Sequence, residues 1–282
     1  MKIITAKSAG FCFGVRKAVD IAYEAAKDPG PVYTYGPIIH NQSVVDDLAQ
    51  KGVRVIRSRE ELSEIHGGVI VTRSHGVSRE EEKLLRSTGA RIVDATCPFV
   101  KRIHRTVDQE SAAGSRIVIV GNPDHPEVRG IMGWSHTPVT VISTEEEARA
   151  FTHEGEGRIC VVAQTTFNAN KFKEFIDILY KRGYNIACVN TICSATHERQ
   201  AEARTIAKRA DTMIVIGDST SSNSAKLYEI CRKECPDTQF IQSWRDLRLP
   251  PAGGDGVVGI TAGASVPLTI IEEVQLHVRA EF

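Results

Sequence analysis

Cys12, Cys97 and Cys193 divide the chain into near-equal thirds: they stand 85 and 96 residues apart, and 89 residues follow the last. Each opens a helix-like run: Phe11-Cys12-Phe13-Gly14-Val15, Thr96-Cys97-Pro98-Phe99-Val100 and Ile192-Cys193-Ser194-Ala195-Thr196. A glycine falls 24 residues after each cysteine (Gly36, Gly121, Gly217) and a candidate ligand 28 residues after each (His40, His125, Ser221). Equal offsets in three places mark an internal threefold repeat. Three equivalent thiols in such a repeat can meet near one axis.

The repeat extends beyond the cysteines. Polar-apolar helical runs follow them at 15–27, 100–113 and 197–210. Next come short apolar strands ending in the glycine: Val32-Tyr33-Thr34-Tyr35, Ile117-Val118-Ile119-Val120 and Met213-Ile214-Val215-Ile216. A further strand in each third runs into a loop bearing hydroxyl or imidazole groups: Ser74-His75, Thr165-Thr166 and Ser265. Continuous apolar strands alternating with helices read as parallel sheets covered on both faces. In such sheets ligands bind beyond the carboxyl ends of the strands. The expected fold is α/β, three similar units with mainly parallel sheets at 1–96, 97–192 and 193–282, disposed about a pseudo-threefold axis. Pro250-Pro251-Ala252-Gly253-Gly254 reads as a loop inside the third unit.

Lys+Arg and Asp+Glu both number 35, which argues against a nucleic-acid or membrane-surface partner held by bulk charge. Residues 1–7 contain no secretory apolar core, and no window approaches about 18 uninterrupted apolar residues. Seven cysteines, odd in number and widely spaced, read as a reducing cytoplasm rather than a disulfide scaffold. A cysteine at a helix amino end sits near partial positive charge, which favours the metal-binding thiolate. Pro98 at a first helical position supports that placement for Cys97. Three such thiolates can hold zinc with an open fourth position or a cubane iron–sulfur cluster, and local spacing does not choose between them. Cys160 and Cys188 read as core residues, and the Cys231/Cys235 pair as structural.

By the repeat, six loops face the thiols: His40-Asn41, Ser74-His75, His125-Pro126-Glu127, Thr165-Thr166, Ser221-Ser222-Asn223 and Ser265. Imidazoles, hydroxyls and an amide backed by helix amino ends suit a phosphate or diphosphate. Glu127 is the only carboxylate in this expected ring. Desolvated beside an anion it would keep its proton and serve as a donor; its other reading is an acid in a helical first turn, stabilised by the dipole.

Gly10-Phe11-Cys12-Phe13-Gly14-Val15, Arg73-Ser74-His75-Gly76-Val77, Asp94-Ala95-Thr96-Cys97-Pro98 and His125-Pro126-Glu127-Val128 look like family motifs. So do Gln164-Thr165-Thr166, Thr191-Ile192-Cys193, Ser221-Ser222-Asn223-Ser224 and Thr261-Ala262-Gly263-Ala264-Ser265. In this order they resemble the LytB-type 4-hydroxy-3-methylbut-2-enyl diphosphate reductases, over essentially the whole chain. The resemblance implies a trefoil of three α/β units around a [4Fe-4S] cluster on Cys12, Cys97 and Cys193, with the fourth iron open to substrate. Loss of that iron in oxygen would leave a [3Fe-4S] form. It also implies reductive removal of the C4 hydroxyl of an allylic diphosphate. The products are isopentenyl and dimethylallyl diphosphate, and the reaction is the last step of the non-mevalonate isoprenoid pathway. By position His40, His75, His125, Ser221, Ser222, Asn223 and Ser265 would hold the diphosphate. Glu127 would donate protons, and Thr165 and Thr166 would lie beside the reacting hydroxyl, Thr166 also among the substrate contacts. Some relatives carry a further His where this chain has Asn122-Pro123-Asp124, so no ligand is carried over there.

Gly10 to Gly14 gives no GxGxxG, so electrons are expected from another protein of ferredoxin or flavodoxin type. Two other functions use the same residues: a zinc hydrolase or lyase acting on a phosphorylated small molecule, and an iron–sulfur sensor binding a phosphorylated effector. Visible colour separates zinc from iron–sulfur, and turnover with a chemical reductant separates enzyme from sensor.

Overall fold

The computed structural model describes residues 2–154, 157–248 and 256–280; the expected loop at 250–254 lies outside them. The chain begins β1 (Lys2–Thr5), α1 (Phe13–Ala25), β2 (Val32–Tyr35), α2 (Gln42–Gln50), β3 (Val53–Ile56), α3 (Arg59–Ser63), β4 (Val69–Thr72), α4 (Arg79–Ser87) and β5 (Arg91–Val93). The middle third runs α5 (Pro98–Ala112), β6 (Arg116–Val120), α6 (Pro126–Met132), β7 (Val139–Ile142), α7 (Glu145–Ala150), β8 (Ile159–Ala163), α8 (Ala169–Tyr180) and β9 (Ile186–Cys188). The last third has α9 (Ser194–Ala207), β10 (Thr212–Ile216), α10 (Ser222–Glu234), β11 (Thr238–Ile241), a 3-10 turn at Trp244–Asp246, β12 (Val257–Ala262) and α11 (Leu268–Ala280).

The strands form three four-stranded sheets, ordered β3-β2-β4-β5, β7-β6-β8-β9 and β11-β10-β12-β1. Every pairing is parallel. The three sheets thus share one strand order, which is the physical content of the equal offsets. The edge strand breaks the expected bookkeeping. β5 and β9 close the sheets that precede them in the chain, and the corresponding place in the last sheet is taken by β1, with Lys2 opposite Val257 and Thr5 opposite Ile260. The amino-terminal strand therefore belongs with residues of the third sheet, not with a unit at 1–96. Each cysteine lies between the edge strand of one sheet and the helix that leads to the next. By compactness the chain falls into two units: 1–16 with 40–44 and 193–282, and 17–39 with 45–192.

Both faces of each central strand are buried, as their continuous apolar runs require. In β6, Ile117 and Ile119 pack with Ile103 and Val107 of α5 and Val128 and Ile131 of α6. Val118 and Val120 turn the other way, onto Phe172, Phe175 and Leu179 of α8. In β10, Met213 and Val215 meet Ala203, Ile206 and Ala207 of α9, while Ile214 and Ile216 meet Ile271, Val274 and Val278 of α11. Each such buried Val, Leu, Ile, Phe or Met side chain contributes about 1.5–3 kcal/mol, enough to hold the strand ends, and the loops beyond them, in place.

The three repeat glycines do one job. Their amides donate to the last carbonyl of the neighbouring strand: Gly36 to Ile56 (2.9 Å), Gly121 to Ile142 (3.0 Å) and Gly217 to Ile241 (2.8 Å). In the second and third sheets a side chain at this glycine would strike a packed neighbour. A Cβ on Gly121 would stand 2.9 Å from Gln164 Cβ, and one on Gly217 or Gly263 would overlap the fully buried Ser224 side chain. Gly217→Ala is expected to destabilise by about 1–3 kcal/mol, the usual cost of overpacking, read as a lower melting temperature. A melting curve equal to the parent's would show that α10 can retreat at no cost.

Candidate functional site

The three cysteines are locally equivalent. Each carbonyl accepts the first bond of the helix it precedes: from Arg16 to Cys12 (2.9 Å), from Lys101 to Cys97 (3.0 Å) and from His197 to Cys193 (3.0 Å). Cys97 and Cys193 occupy the N-cap position, yet neither side chain caps the helix. Each is also tied to a strand-end loop. The Cys97 amide donates to Ser74 O (3.0 Å) and the Cys12 amide to Ala264 O (3.3 Å). Two residues before Cys193, the Thr191 hydroxyl donates to Ala163 O (2.5 Å) and accepts from the Ala163 amide (2.8 Å). These loops are the ones bearing His75, Ser265 and Thr165–Thr166. All three cysteines are part-exposed, and none of the seven is in a disulfide. Cys160, Cys231 and Cys235 are buried; burial pushes the Cys160 thiol up to about 11 and, helped by Cys235, that of Cys231 up to about 12. Such thiols are poor ligands at neutral pH.

In the compact unit that contains residues 193–282, the hydroxyl and amide groups gather around the start of α10. The Ser221 oxygen caps that helix (3.4 Å to the Ser224 amide) and accepts from the Ser224 hydroxyl (3.1 Å). The proton of Ser221 itself is thus left to point elsewhere. Asn223 is 4% exposed, and neither atom of its amide has a hydrogen-bond partner. Ser265, in the loop after β12, is 6% exposed with its Oγ equally unpartnered. A buried polar group left so costs about 1–3 kcal/mol, a cost that a hydrogen-bonding ligand would remove. Ser222 is part-exposed beside them. His40, expected with His75 in the first third, falls in this unit, its Nδ1 3.4 Å from the Thr220 hydroxyl, which donates to Asp218 (2.7 Å). Asp218 is therefore a carboxylate at the edge of these loops.

The other unit holds the acid. Glu127 lies in the first turn of α6, where a dipole-stabilised surface acid would sit, but it is 2% exposed and its carboxylate is directed at Thr165. The Thr165 amide donates to Oε1 (2.6 Å) and its hydroxyl to Oε2 (2.7 Å). Burial pushes the Glu127 carboxyl up; the two Thr165 bonds pull it down, and the balance is a pKa of about 7. His125 caps the same helix, its Nδ1 accepting from the Glu127 amide (3.1 Å), which makes Nε2 the donor nitrogen of the neutral ring. The His75 ring lies edge-on to it, 5.3 Å between centroids. Thr166 bonds to the Gln164 side chain (3.1 Å) rather than to Glu127.

Three further residues matter here: Gln164 reads in the sequence only as part of a motif, with no role, and His104 and Arg199 carry no sequence signal. Gln164 ties the loop after β6 to the loop after β8, accepting from the Asn122 amide (3.0 Å). His104 stacks on Trp134 (5.2 Å), and burial lowers its pKa to about 4; with Asp94, Thr96 and Lys101 it lines a cavity of about 320 Å3. Arg199 is 3% exposed in the second turn of α9 and donates to Ala262 O (2.8 Å). A charged residue on a mixed helix reads as solvated, so only the tertiary structure reveals it.

A family model described as LytB protein matches residues 3–279. An Alkaliphilus oremlandii protein named 4-hydroxy-3-methylbut-2-enyl diphosphate reductase is 40% identical over 277 residues, spanning 97% of this chain and 98% of that protein. A Geobacter metallireducens protein of the same name is 43% identical over 281 residues, 99% of this chain and 97% of its own length. A solved structure of (E)-4-hydroxy-3-methyl-but-2-enyl diphosphate reductase, described as the terminal enzyme of the non-mevalonate pathway, is 39% identical. It superposes with a TM-score of 0.71 over 99% of this chain and 100% of that one. The E-1-hydroxy-2-methyl-but-2-enyl-4-diphosphate reductase from Plasmodium falciparum, 24% identical, superposes at 0.90 over 99% of this chain and 87% of its own, which supports the fold alone. Matched over residues 3–279 by the family model and over 97–99% of its length by relatives 40–43% identical, the chain belongs to the LytB protein family.

Proposed function

We propose that the chain is a 4-hydroxy-3-methylbut-2-enyl diphosphate reductase whose reaction runs between a three-thiolate iron–sulfur site and the acid Glu127. The observation that carries this reading is Glu127 itself, a fully buried carboxyl with a pKa near 7, held on both oxygens by Thr165. A hydroxyl leaves with difficulty as hydroxide and readily as water, so its removal needs an acid of this kind.

Cys12, Cys97 and Cys193 fit a [4Fe-4S] cluster: part-exposed thiols at three helix amino ends, set against buried cysteines elsewhere that do not. When bound, the cluster supplies an open iron as Lewis acid for the substrate hydroxyl and passes on two electrons. Overall, two electrons and two protons enter, one C–O bond breaks, one C–H bond forms and water departs. Ser221, Asn223 and Ser265 donate to the diphosphate, joined by Ser222, His40, His75 and His125. Thr165 fixes the direction in which Glu127 presents its proton, and Thr166 lies next in the chain beside the same hydroxyl. We place the enzyme in the cytoplasm, with a ferredoxin- or flavodoxin-type protein as electron source. Among the described residues no helix is long and apolar enough to cross a membrane.

The test is anaerobic: iron and sulfide analysis, then turnover of the allylic diphosphate with a chemical reductant. A colourless, zinc-loaded or inactive protein would overturn the reading. A companion experiment addresses the anion site. Asn223→Leu keeps the volume and removes two unpartnered buried atoms. Its ligand-free melting temperature is expected to hold or rise, while substrate binding weakens about 10- to 100-fold, the loss of one hydrogen bond to a charged group. Unchanged binding would remove Asn223 from the site.

A further inference from the structure

Arg199 presents a problem of charge. Its guanidinium carries five N–H donors and is protonated at any physiological pH. It is 3% exposed, and among the described residues its one hydrogen bond goes to a neutral carbonyl, Ala262 O at 2.8 Å. No carboxylate lies within ion-pair distance of it among the described residues. Glu202, one turn further along α9, is engaged elsewhere: it accepts from the Lys7 amide (2.8 Å), the Ser8 amide (2.9 Å) and the Ser8 hydroxyl (2.5 Å). A buried cation lacking a counter-charge is strongly destabilising. The groups that do act on Arg199 through space are, in order, Cys12, Glu202 and Cys193, against a larger opposing effect of burial. Two of these three are the proposed cluster thiols, in the same compact unit as Arg199, and the geometry agrees: the Cys12 amide donates to Ala264 O (3.3 Å), two residues on from the carbonyl that Arg199 holds, and Cys193 is the N-cap of the helix that carries Arg199.

We propose that Arg199 is the fixed counter-charge of the thiolate-held cluster, raising its reduction potential and bracing the loop that bears Ser265 through Ala262. The inference rests on the iron–sulfur reading of Cys12 and Cys193. Its physics is that of any iron–sulfur site, where net charge around the cluster sets the potential. A buried positive charge favours the reduced, more negative state, and low polarisability around it keeps the effect from being screened. Arg199 is a positioning and tuning residue: it touches the Ala262 carbonyl, not the substrate.

The experiment compares anaerobically loaded wild type, Arg199→Gln and Arg199→Lys. Each is scored for iron and sulfide content, then titrated for its reduction potential by electron paramagnetic resonance. Glutamine can still donate to Ala262 O but lacks the charge. At a fixed solution potential we expect its ratio of reduced to oxidised cluster to fall at least tenfold, equivalent to about 59 mV for a one-electron couple. The lysine variant, which keeps the charge, should recover most of that shift. A loaded glutamine variant at the wild-type potential overturns the proposal, and so does a lysine variant shifted as far as glutamine, since that would make the role geometric. Should Arg199→Gln fail to fold, Glu202→Gln decides: it removes the carboxylate that acts on Arg199 through space, the expected shift in potential is upward, and an unmoved potential overturns charge control. A wild type that binds no iron or sulfide sinks the parent reading instead.

Discussion

Cys193→Ser is expected to yield a folded protein with background iron and sulfide, no brown colour and no turnover, and Cys12→Ser and Cys97→Ser are expected to match it. The reason is ligand count. A cubane held by three thiolates has no spare protein ligand, and serine offers a hydroxyl whose ionised form is far rarer at neutral pH. The fold should survive because these positions are part-exposed joints between an edge strand and a helix, and the backbone bonds that hold them do not involve sulfur. The control is internal. Cys160 and Cys231 sit in the cores beneath β6 and β10, with thiols pushed up to about 11 and about 12. Alanine at Cys160, Cys188, Cys231 or Cys235 should leave iron content intact and change stability alone. Full iron in Cys193→Ser would undo the ligand assignment, and lost iron in all seven single variants would mean that folding, not ligation, is being read.

What could be read from the residues alone was whatever is written locally. Central strands such as Ile117-Val118-Ile119-Val120 are apolar on both faces and declare a covered parallel sheet. Pro98 at the start of α5 declares a helix beginning at Cys97. The repeat offsets survive because every third of the chain uses the same strand order. The edge strands that precede the three cysteines fared worse. β5 and β9 are three residues each, too short to carry a pattern, and β1 pairs with a strand some 255 positions away, a parallel contact that no local propensity encodes. That pairing moves Cys12 next to Ala264, and hence beside the Ser265 loop rather than into a first unit. Glu127 was legible as a candidate with two readings, an acid that keeps its proton and a dipole-stabilised carboxylate. Its position in a first turn argues for ionisation, and only the burial imposed by the β6 and β8 loops reverses the sign. Arg199 was invisible, and Gln164 had no role beyond its motif, because their residue types are normally solvated and burial is a property of the assembled helix and sheet.

Glu127→Gln is expected to bind substrate nearly as the parent does and to turn it over roughly 100-fold more slowly or worse, the usual scale for a lost general acid. Glutamine keeps the shape and can still accept from the Thr165 amide, but has no acidic proton. The defect should therefore fall on kcat, whereas His125→Ala, removing an anion contact, should fall mainly on KM. The same group sets the pH dependence. A carboxyl raised to about 7 by burial is a proton donor below that pH and a carboxylate above it, so kcat/KM of the parent should fall as pH rises through about 7. Glutamine at 127 should erase that alkaline limb. Stability carries the same signature with a definite sign. Because the folded pKa lies above the ordinary value of 4.5, the folded state loses stability as pH climbs from about 4.5 to about 7, on the order of 3 kcal/mol at most. Relative to the parent, the glutamine variant should gain stability over that interval and hold the gain above it. Near-parental turnover in Glu127→Gln would move the acid role to a substrate phosphate oxygen or a water held by Thr165. Loss of turnover with the alkaline limb still in place would assign that limb to another group.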